Sequence, residues 1–327
     1  MADPNTRRIL SLDGGGMRGI FSAKFMELFV QLWGINPNEI WKYYDVITGT
    51  SVGGLQALGY AFGMSPTDML NILINDGPWI FSTSSIIPGV RATTLDKLAT
   101  MILGGSFYPN TGFVNKLNEI FGETLMSDLK TAVLIPSYNY DTNTPALFSN
   151  AVFPDSLGKD EFVKNVALAT ASAPLYFPRA NWGTYNYIDG GVIKNNPSNL
   201  GVAIGEVKKA SANRTCVLSI GTGLGPIGFH DSPTPPPDES NMSFIFSLIG
   251  IGITGSQEVD AKQLNLIDLY TLDPNYSYRA QAIYDPNQDT ELDNTTTEFI
   301  DYTIQTAIDY FNDNIVAISN YLDHQVI

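Results

Sequence analysis

The residues best suited to chemistry are a serine and an aspartate, each set among glycines. Gly49-Thr50-Ser51-Val52-Gly53 matches G-x-S-x-G, and Gly54 follows it. A short β-branched run, Val46 to Thr48, precedes the motif and predicts a buried strand. Leu55, Leu58 and Phe62 follow at the spacing of one helix face. Strand, tight turn and helix are the context of a nucleophile elbow, which lifts its serine to the top of a sheet on a strained turn. The neighbours of such a serine must be nearly free of side chain, and Gly49, Gly53 and Gly54 meet that demand. The bare motif is common as a Gly-rich turn. Its setting makes Ser51 the candidate nucleophile.

A second loop, Asp13-Gly14-Gly15-Gly16-Met17-Arg18-Gly19, follows the apolar strand Arg8 to Leu12. Gly14, Gly16 and Gly19 also satisfy G-x-G-x-x-G, the dinucleotide-binding turn. That fingerprint asks for an acid about 20 residues on, at the end of the second strand. The second strand here ends in the Ser51 elbow instead, which argues against a nucleotide. Three consecutive glycines serve another purpose, because their N–H groups can converge on one small volume with no Cβ in the way. Beside a serine nucleophile such a nest is an oxyanion hole, each donor contributing about 3 kcal/mol of transition-state stabilisation. Arg18 has two equal readings: it adds positive potential, or it pins the loop to a carbonyl or carboxylate.

A serine hydroxyl is a poor nucleophile until a base takes its proton. The chain has only two histidines. His324 lies among the last residues, where helix ends fray. Ser51, Asp189 and His230 stand in the chain order of the α/β-hydrolase triad. His230, however, sits at the mouth of a Pro-rich stretch, a poor platform for positioning to about half an ångström. Asp189 ends a short strand, and Gly190-Gly191 let the chain approach another backbone. With water excluded and its pKa raised, an aspartate there could act directly as the base. The plainer reading of Asp-Gly is a turn.

The elements that must position these loops are legible in outline. Arg8 to Leu12 and Val46 to Thr48 flank a helical face of Phe21, Phe25, Leu28, Phe29 and Leu32 that ends near Gly34. This is a βαβ-like unit, and it points to a parallel sheet. Residues 64–130 read as helices and loops, with turn signals at Pro66, Gly77-Pro78, Pro88-Gly89, Gly104-Gly105 and Pro109. Ala132 to Pro136 and Ala146 to Phe148 read as strands, and Asp141-Thr142-Asn143 between them suggests a hairpin. A helix from Val163 to Ala173 closes at Pro174. A strand from Tyr185 to Ile188 delivers Asp189. A helix over roughly 198–209 precedes the last strong strand, Thr215 to Ile220. Gly228 to Ser240 resembles a linker. The apolar run Met242 to Ile253 reads first as a buried core helix; the alternative is that part of it borders the Ser51 cleft and inserts shallowly at lipid surfaces. Thr295-Thr296-Thr297-Glu298 fits a capping box. One long amphipathic helix follows it, with Ile300, Ile304, Ala307, Ile308, Phe311, Ile315, Ile318 and Leu322 on its apolar face. The expectation is a single domain over 1–327, with a motif-bearing core at about 6–225 and a C-terminal helical part at about 241–327.

Composition removes several function classes. The 327 residues carry a formal net charge of −15. No Lys or Arg run offsets it, so nucleic acid is not an expected partner. Contact with a bilayer would have to be hydrophobic and transient rather than electrostatic. The single cysteine, Cys216, rules out an internal disulfide, and its apolar run makes it a buried small hydrophobe. No stretch reaches the ~18 apolar residues that span a bilayer, and no signal-length apolar segment follows Met1 to Arg8. The expected location is the cytoplasm with peripheral membrane contact. A processed secreted or vacuolar form is the alternative.

Three motifs together resemble the patatin family of lipid acyl hydrolases. Asp13 to Gly19 is similar to its oxyanion loop, and Gly49 to Gly54 to its nucleophile elbow. Asp189-Gly190-Gly191, continuing through Val192-Ile193-Lys194-Asn195-Asn196-Pro197, is similar to the segment that carries its catalytic aspartate. Weaker likenesses lie at Asp76 to Phe81, Ala171 to Pro178 and Ser219-Ile220-Gly221-Thr222-Gly223. Thr296-Thr297-Glu298 and the helix after it resemble the end of the plant storage patatins. The resemblance implies an α/β fold, a mostly parallel central sheet sandwiched by helices. It implies a Ser51–Asp189 dyad without histidine, with Gly14, Gly15, Gly16 and Arg18 around the oxyanion. The implied activity is hydrolysis of phospholipid or galactolipid acyl esters through a covalent ester on Ser51, with no metal and no cofactor. Transfer of the acyl group to an alcohol, a triad esterase using His230, and an idle lipid-binding or storage protein are the alternatives.

Overall fold

The computed structural model describes residues 4–84, 87–93, 96–97, 99–100, 104–151, 156–224, 257, 259–263 and 276–326. The predicted elbow strand and its neighbours form the middle of one mixed, mostly parallel sheet. Strands β1 (Thr6–Leu12), β2 (Val46–Gly49), β3 (Ala132–Asn139), β7 (Arg214–Ile220) and β8 (Tyr276–Ala280) pair in parallel in the order β3-β2-β1-β7-β8. Strand β4 (Thr144–Ser149) is the hairpin partner of β3, and β6 (Tyr185–Asp189) runs antiparallel to β3 with β5 (Ala180–Trp182) beside it.

Both sheet faces are buried, so the central strands read as continuous apolar runs whose alternate residues enter different cores. Leu10, Leu12, Ile47, Val133, Ile135, Leu218 and Ile220 pack under helices α1 (Gly19–Trp33) and α2 (Val52–Phe62). Helix α5 (Val163–Ala171) and the C-terminal pair α7 (Thr297–Asp313) and α8 (Ile315–Val326) complete that layer. Ile9, Val46, Ala132, Leu134 and Val217 face the other way, against α6 (Ser198–Lys208). Helix α6 lies close to the sheet because Gly201 and Gly205 face it; a Cβ on either would stand 2.7 Å from Ile9. The C-terminal helical layer is held to α1 by rings, Phe311 on Phe25 at 5.3 Å and Tyr310 on Phe21 at 5.7 Å.

The register explains how an antiparallel strand enters this sheet. Leu134 pairs with Thr48 of β2 and with Ser149 of β4, so β2 and β4 lie on opposite edges of β3. Ser137 pairs with Ala146 of β4 and with Asp189 of β6, so β6 occupies the same edge as β2. Strand β2 therefore runs up that edge, β6 runs down it, and they meet at Pro136. A proline at the joint is apt, because it has no N–H to leave unpaired.

Several local expectations shift. Pro66 opens a helix, α3 (Pro66–Ile80), at its first position behind a Ser65–Asp68 capping box, and Gly77-Pro78 lies in the last turn of that helix. Proline fits a first turn, where its missing donor has no partner to lose. Leu32 on α1 is 42% exposed rather than part of the buried face. The cap of α7 is Thr296, which accepts from Phe299 N–H, one residue later than the box read from Thr295. The long C-terminal helix divides at Asn314 into α7 and α8. Strands β5 and β8 carry no clear apolar alternation, so the sequence pattern does not mark them. The linker Gly228 to Ser240, the run Met242 to Ile253 and His230 lie outside the described residues.

Candidate active site

Ser51 sits between β2 and α2 with φ 55 and ψ −127, a conformation that costs a non-glycine residue about 1–3 kcal/mol. The turn is so tight that a Cβ on Gly49 would stand 2.1 Å from Gly53 O, and one on Gly53 would stand 2.3 Å from Leu12 O. Serine at a helix N-cap ordinarily turns its hydroxyl onto the helix. Here it makes no cap bond, and the serine lines one cleft with the Asp189 carboxylate, whose charged form its hydroxyl favours. The Ser51 N–H donates to Thr170 Oγ1 at 3.0 Å, and Thr170 donates on to Pro136 O at 2.7 Å. Thr170, a last-turn residue of α5 with no motif around it, was not anticipated. It ties the elbow to the joint where β2 and β6 meet.

Asp189 is the last residue of β6 and is 5% exposed. Burial pushes its carboxyl up to about 7, against the opposing effect of the Ser51 hydroxyl and the Gly191 N–H. The Gly191 N–H reaches Oδ1 at 2.7 Å. Gly190 comes so close to β3 that an added Cβ would stand 2.2 Å from Pro136 O. A buried carboxyl that titrates near neutrality and shares a cleft with a strained serine is suited to proton transfer.

The glycine loop is held from below and behind. Asp13, fully buried, forms a two-pronged ion pair with Arg279 of β8, Nη1 to Oδ1 at 2.9 Å and Nη2 to Oδ2 at 2.5 Å. The Gly14 N–H is spent on Asn195 O at 3.2 Å. Gly16 has φ +56, and Met17 N–H donates to Leu292 O at 2.8 Å. The N–H groups of Gly15 and Gly16 make no hydrogen bond among the described residues, and both glycines line one cleft with Ser51 and Asp189. Of the three N–H groups expected at the oxyanion, two are thus unengaged among the described residues.

Arg18 turns elsewhere. It is not among the residues lining the cleft, and it forms no ion pair among the described residues. Burial lowers its pKa, partly offset by Tyr284 and Tyr176. Neither a carbonyl nor a carboxylate receives its Nε, which is buried and unpaired.

Apart from Asn195, the rest of the cleft is largely apolar. Met17, Val52, Leu55, Leu73, Ile80, Phe81, Phe113, Tyr176, Phe177 and Leu292 supply a wall that suits a hydrocarbon chain leading to Ser51. Leu292 belongs to a loop anchored by the buried Asp293, whose carboxylate accepts from Tyr108 at 2.6 Å and from Arg91 at 2.9 Å. No group of acidic, histidine or cysteine side chains among the described residues has the arrangement of a metal site.

The family model of patatin-like phospholipases matches residues 10–200, which include the glycine loop, the elbow and Asp189. The chain belongs to the patatin-like phospholipase family. A cGAMP-activated phospholipase of Vibrio cholerae is 31% identical over 67% of this chain and 64% of its own length. Patatin-like protein 1 of Arabidopsis thaliana is 30% identical over 66% of this chain and 58% of its own. The matches thus span less than two thirds of either relative. Patatin-04/09 of Solanum tuberosum is 27% identical over 90% of this chain and 78% of its own. Among solved structures, VipD from Legionella pneumophila aligns over 99% of this chain and 68% of that one, with 13% identity and a TM-score of 0.45. Among the described residues, no helix is long and apolar enough to cross a membrane.

Proposed function

We propose that this protein is a lipid acyl hydrolase in which Ser51 is the nucleophile and Asp189 the base. The observation that carries the reading is the buried Asp189 carboxyl, held near 7 and lining one cleft with the strained Ser51. A fatty acyl ester lays its chain along the apolar wall and presents its carbonyl to Ser51 Oγ. Asp189 takes the hydroxyl proton as the oxygen adds to the carbonyl carbon, and the tetrahedral oxyanion is met by the Gly15 and Gly16 N–H groups. Collapse expels the alcohol, which leaves with the proton from Asp189. Water then attacks the acyl-serine with Asp189 again as base, releasing the fatty acid. Phospholipids are the favoured substrates, since the relatives include phospholipases and the cleft offers hydrocarbon contact; galactolipids share the same acyl ester.

A fluorophosphonate probe should label the wild type on Ser51 and fail on Ser51→Ala. In parallel, His230→Ala should keep most of its phospholipid hydrolysis. If His230→Ala is inactive, the base is a histidine and the dyad reading falls.

A further inference from the structure

The segment Ser219 to Gly223 resembles its counterpart in the family and has no role in the chemistry above. Nor does Asn195, although it follows Asp189 closely. Both converge on one atom, the carbonyl oxygen of Gly14. Thr222 Oγ1 donates to it at 3.0 Å, Asn195 Nδ2 at 3.2 Å and Gln257 Nε2 at 3.4 Å. The three side chains are at most 2% exposed. Asn195 grips the same glycine from its other side, because its own carbonyl accepts the Gly14 N–H.

The consequence follows from peptide geometry. The described residues contain no cis peptide, and in a trans unit the N–H points opposite to the C=O. Of the three donors, Thr222 and Gln257 stand away from the cleft, whereas Asn195 lines it beside Gly15, Gly16, Ser51 and Asp189. Holding the Gly14 oxygen toward Thr222 therefore turns the Gly15 N–H toward the cleft. Without those donors the Gly14–Gly15 unit could rotate, since glycine permits both orientations. The carbonyl would then face the cleft, where it repels an oxyanion. Thr222 also explains why residue 15 is glycine: a Cβ there would stand 2.2 Å from Thr222 Oγ1.

We propose that Thr222 and Asn195 are positioning residues that fix the Gly14–Gly15 peptide so that the Gly15 N–H faces the developing oxyanion. The assignment rests on the reading of Ser51 as nucleophile and extends it. Asn195 comes from the segment that delivers Asp189 and Thr222 from the end of β7, so base and oxyanion donor are set by shared backbone. Thr222 does not line the cleft, and its effect is expected in the transition state alone.

Thr222→Val removes the donor and keeps the shape, and Thr222→Ser keeps the donor. On a dispersed phospholipid, Thr222→Val should lower kcat about tenfold, a fraction of the 10²–10³ that follows outright loss of one oxyanion donor. Its KM and the midpoint of its pH profile should stay at wild-type values, because the acyl wall and Asp189 are unchanged. Thr222→Ser should recover kcat to within about twofold, and Asn195→Asp, which also removes a donor, should fall at least as far as Thr222→Val. The 31P resonance of fluorophosphonate-labelled enzyme should shift in Thr222→Val and return in Thr222→Ser. Should Thr222→Val fail to fold, Gln257→Leu, which removes a donor to the same oxygen from outside the cleft, gives the same reading. Wild-type kcat in Thr222→Val, a loss confined to KM, or no recovery in Thr222→Ser overturns the assignment. A wild type that neither labels nor hydrolyses overturns the nucleophile reading, and this assignment with it.

Discussion

Ser51 and Asp189 reach one point from opposite directions, and the two halves of the sheet deliver them by different devices. On the parallel side, β2 climbs one edge of β3 and ends in a turn whose strain lifts the serine. On the antiparallel side, β6 descends the same edge and simply stops, with Asp189 opposite Ser137. The serine depends on a strained backbone that its glycine neighbours make possible. The aspartate depends on burial and on a strand end that presses against β3. A parallel strand can offer only the residue after its carboxyl end to the cleft above. An opposing strand on the same edge can face that residue directly, so the carboxylate at its end lines the same cleft as the serine of the turn.

The largest effect should come from breaking the meeting itself. Asp189→Asn keeps the shape and a hydrogen-bond acceptor but cannot take a proton at working pH. Hydrolysis should fall about 10⁴-fold, as for loss of an essential triad member. The same variant should be more stable than the wild type in neutral buffer. Folding raises the Asp189 pKa from 3.8 to about 7, so the folded protein binds a proton that the unfolded chain has already lost in that window. Wild-type stability is therefore fully present below about pH 4, declines as pH rises toward 7, and is then flat. The advantage of Asp189→Asn should open over that range and reach about 4 kcal/mol, measured by urea unfolding at pH 4 and pH 8. Wild-type kcat/KM should rise through a midpoint near 7, as ionised Asp189 becomes available. A wild type and variant of equal stability at pH 8 would mean that Asp189 is solvated and not a tuned base.

A smaller effect separates the two devices. A Cβ on Gly190 would stand 2.2 Å from Pro136 O, so Gly190→Ala must push the strand end away from β3. Displacing Asp189 by about 1 Å should cost about 10²-fold in kcat. Fluorophosphonate labelling would remain detectable, because the elbow and the glycine loop stay in place. Full activity in Gly190→Ala would show that the strand end can relax without moving the carboxylate.

The parallel half was legible because each of its signals is local. The β-branched run, the glycines around Ser51 and the helical face after it sit within one stretch of chain. The antiparallel half was legible only in part. Tyr185 to Ile188 reads as a strand, but period-2 alternation does not state which way the partner runs. Nor could it state that β6 continues the edge that β2 leaves. Strand β8 was missed because Tyr276-Ser277-Tyr278-Arg279-Ala280 has no apolar run, and its arginine is in place only because the buried Asp13 is opposite. The engagement of the Gly14 N–H depends on Asn195, far away in sequence. That contact is set by the fold and not by spacing.

The smallest expected effect tests the joint between the two devices. Thr170 accepts from the Ser51 N–H and donates to Pro136 O, so one hydroxyl bridges the elbow and the point where the strands meet. Thr170→Val preserves the volume of a fully buried side chain and leaves two inward-facing backbone groups unpaired. An unpaired buried polar group costs about 1–3 kcal/mol, so the variant should lose about 2 kcal/mol of stability. Thr170→Ser should recover most of that loss. Because Asp189 and the glycine loop keep their own anchors, kcat should fall only a few-fold, about the effect of a slightly displaced Ser51. If Thr170→Val is as stable as the wild type, the Ser51 N–H finds another acceptor and the bridge contributes nothing. If its kcat instead falls as far as that of Gly190→Ala, the elbow depends on the antiparallel half for its geometry and the two devices are not separable.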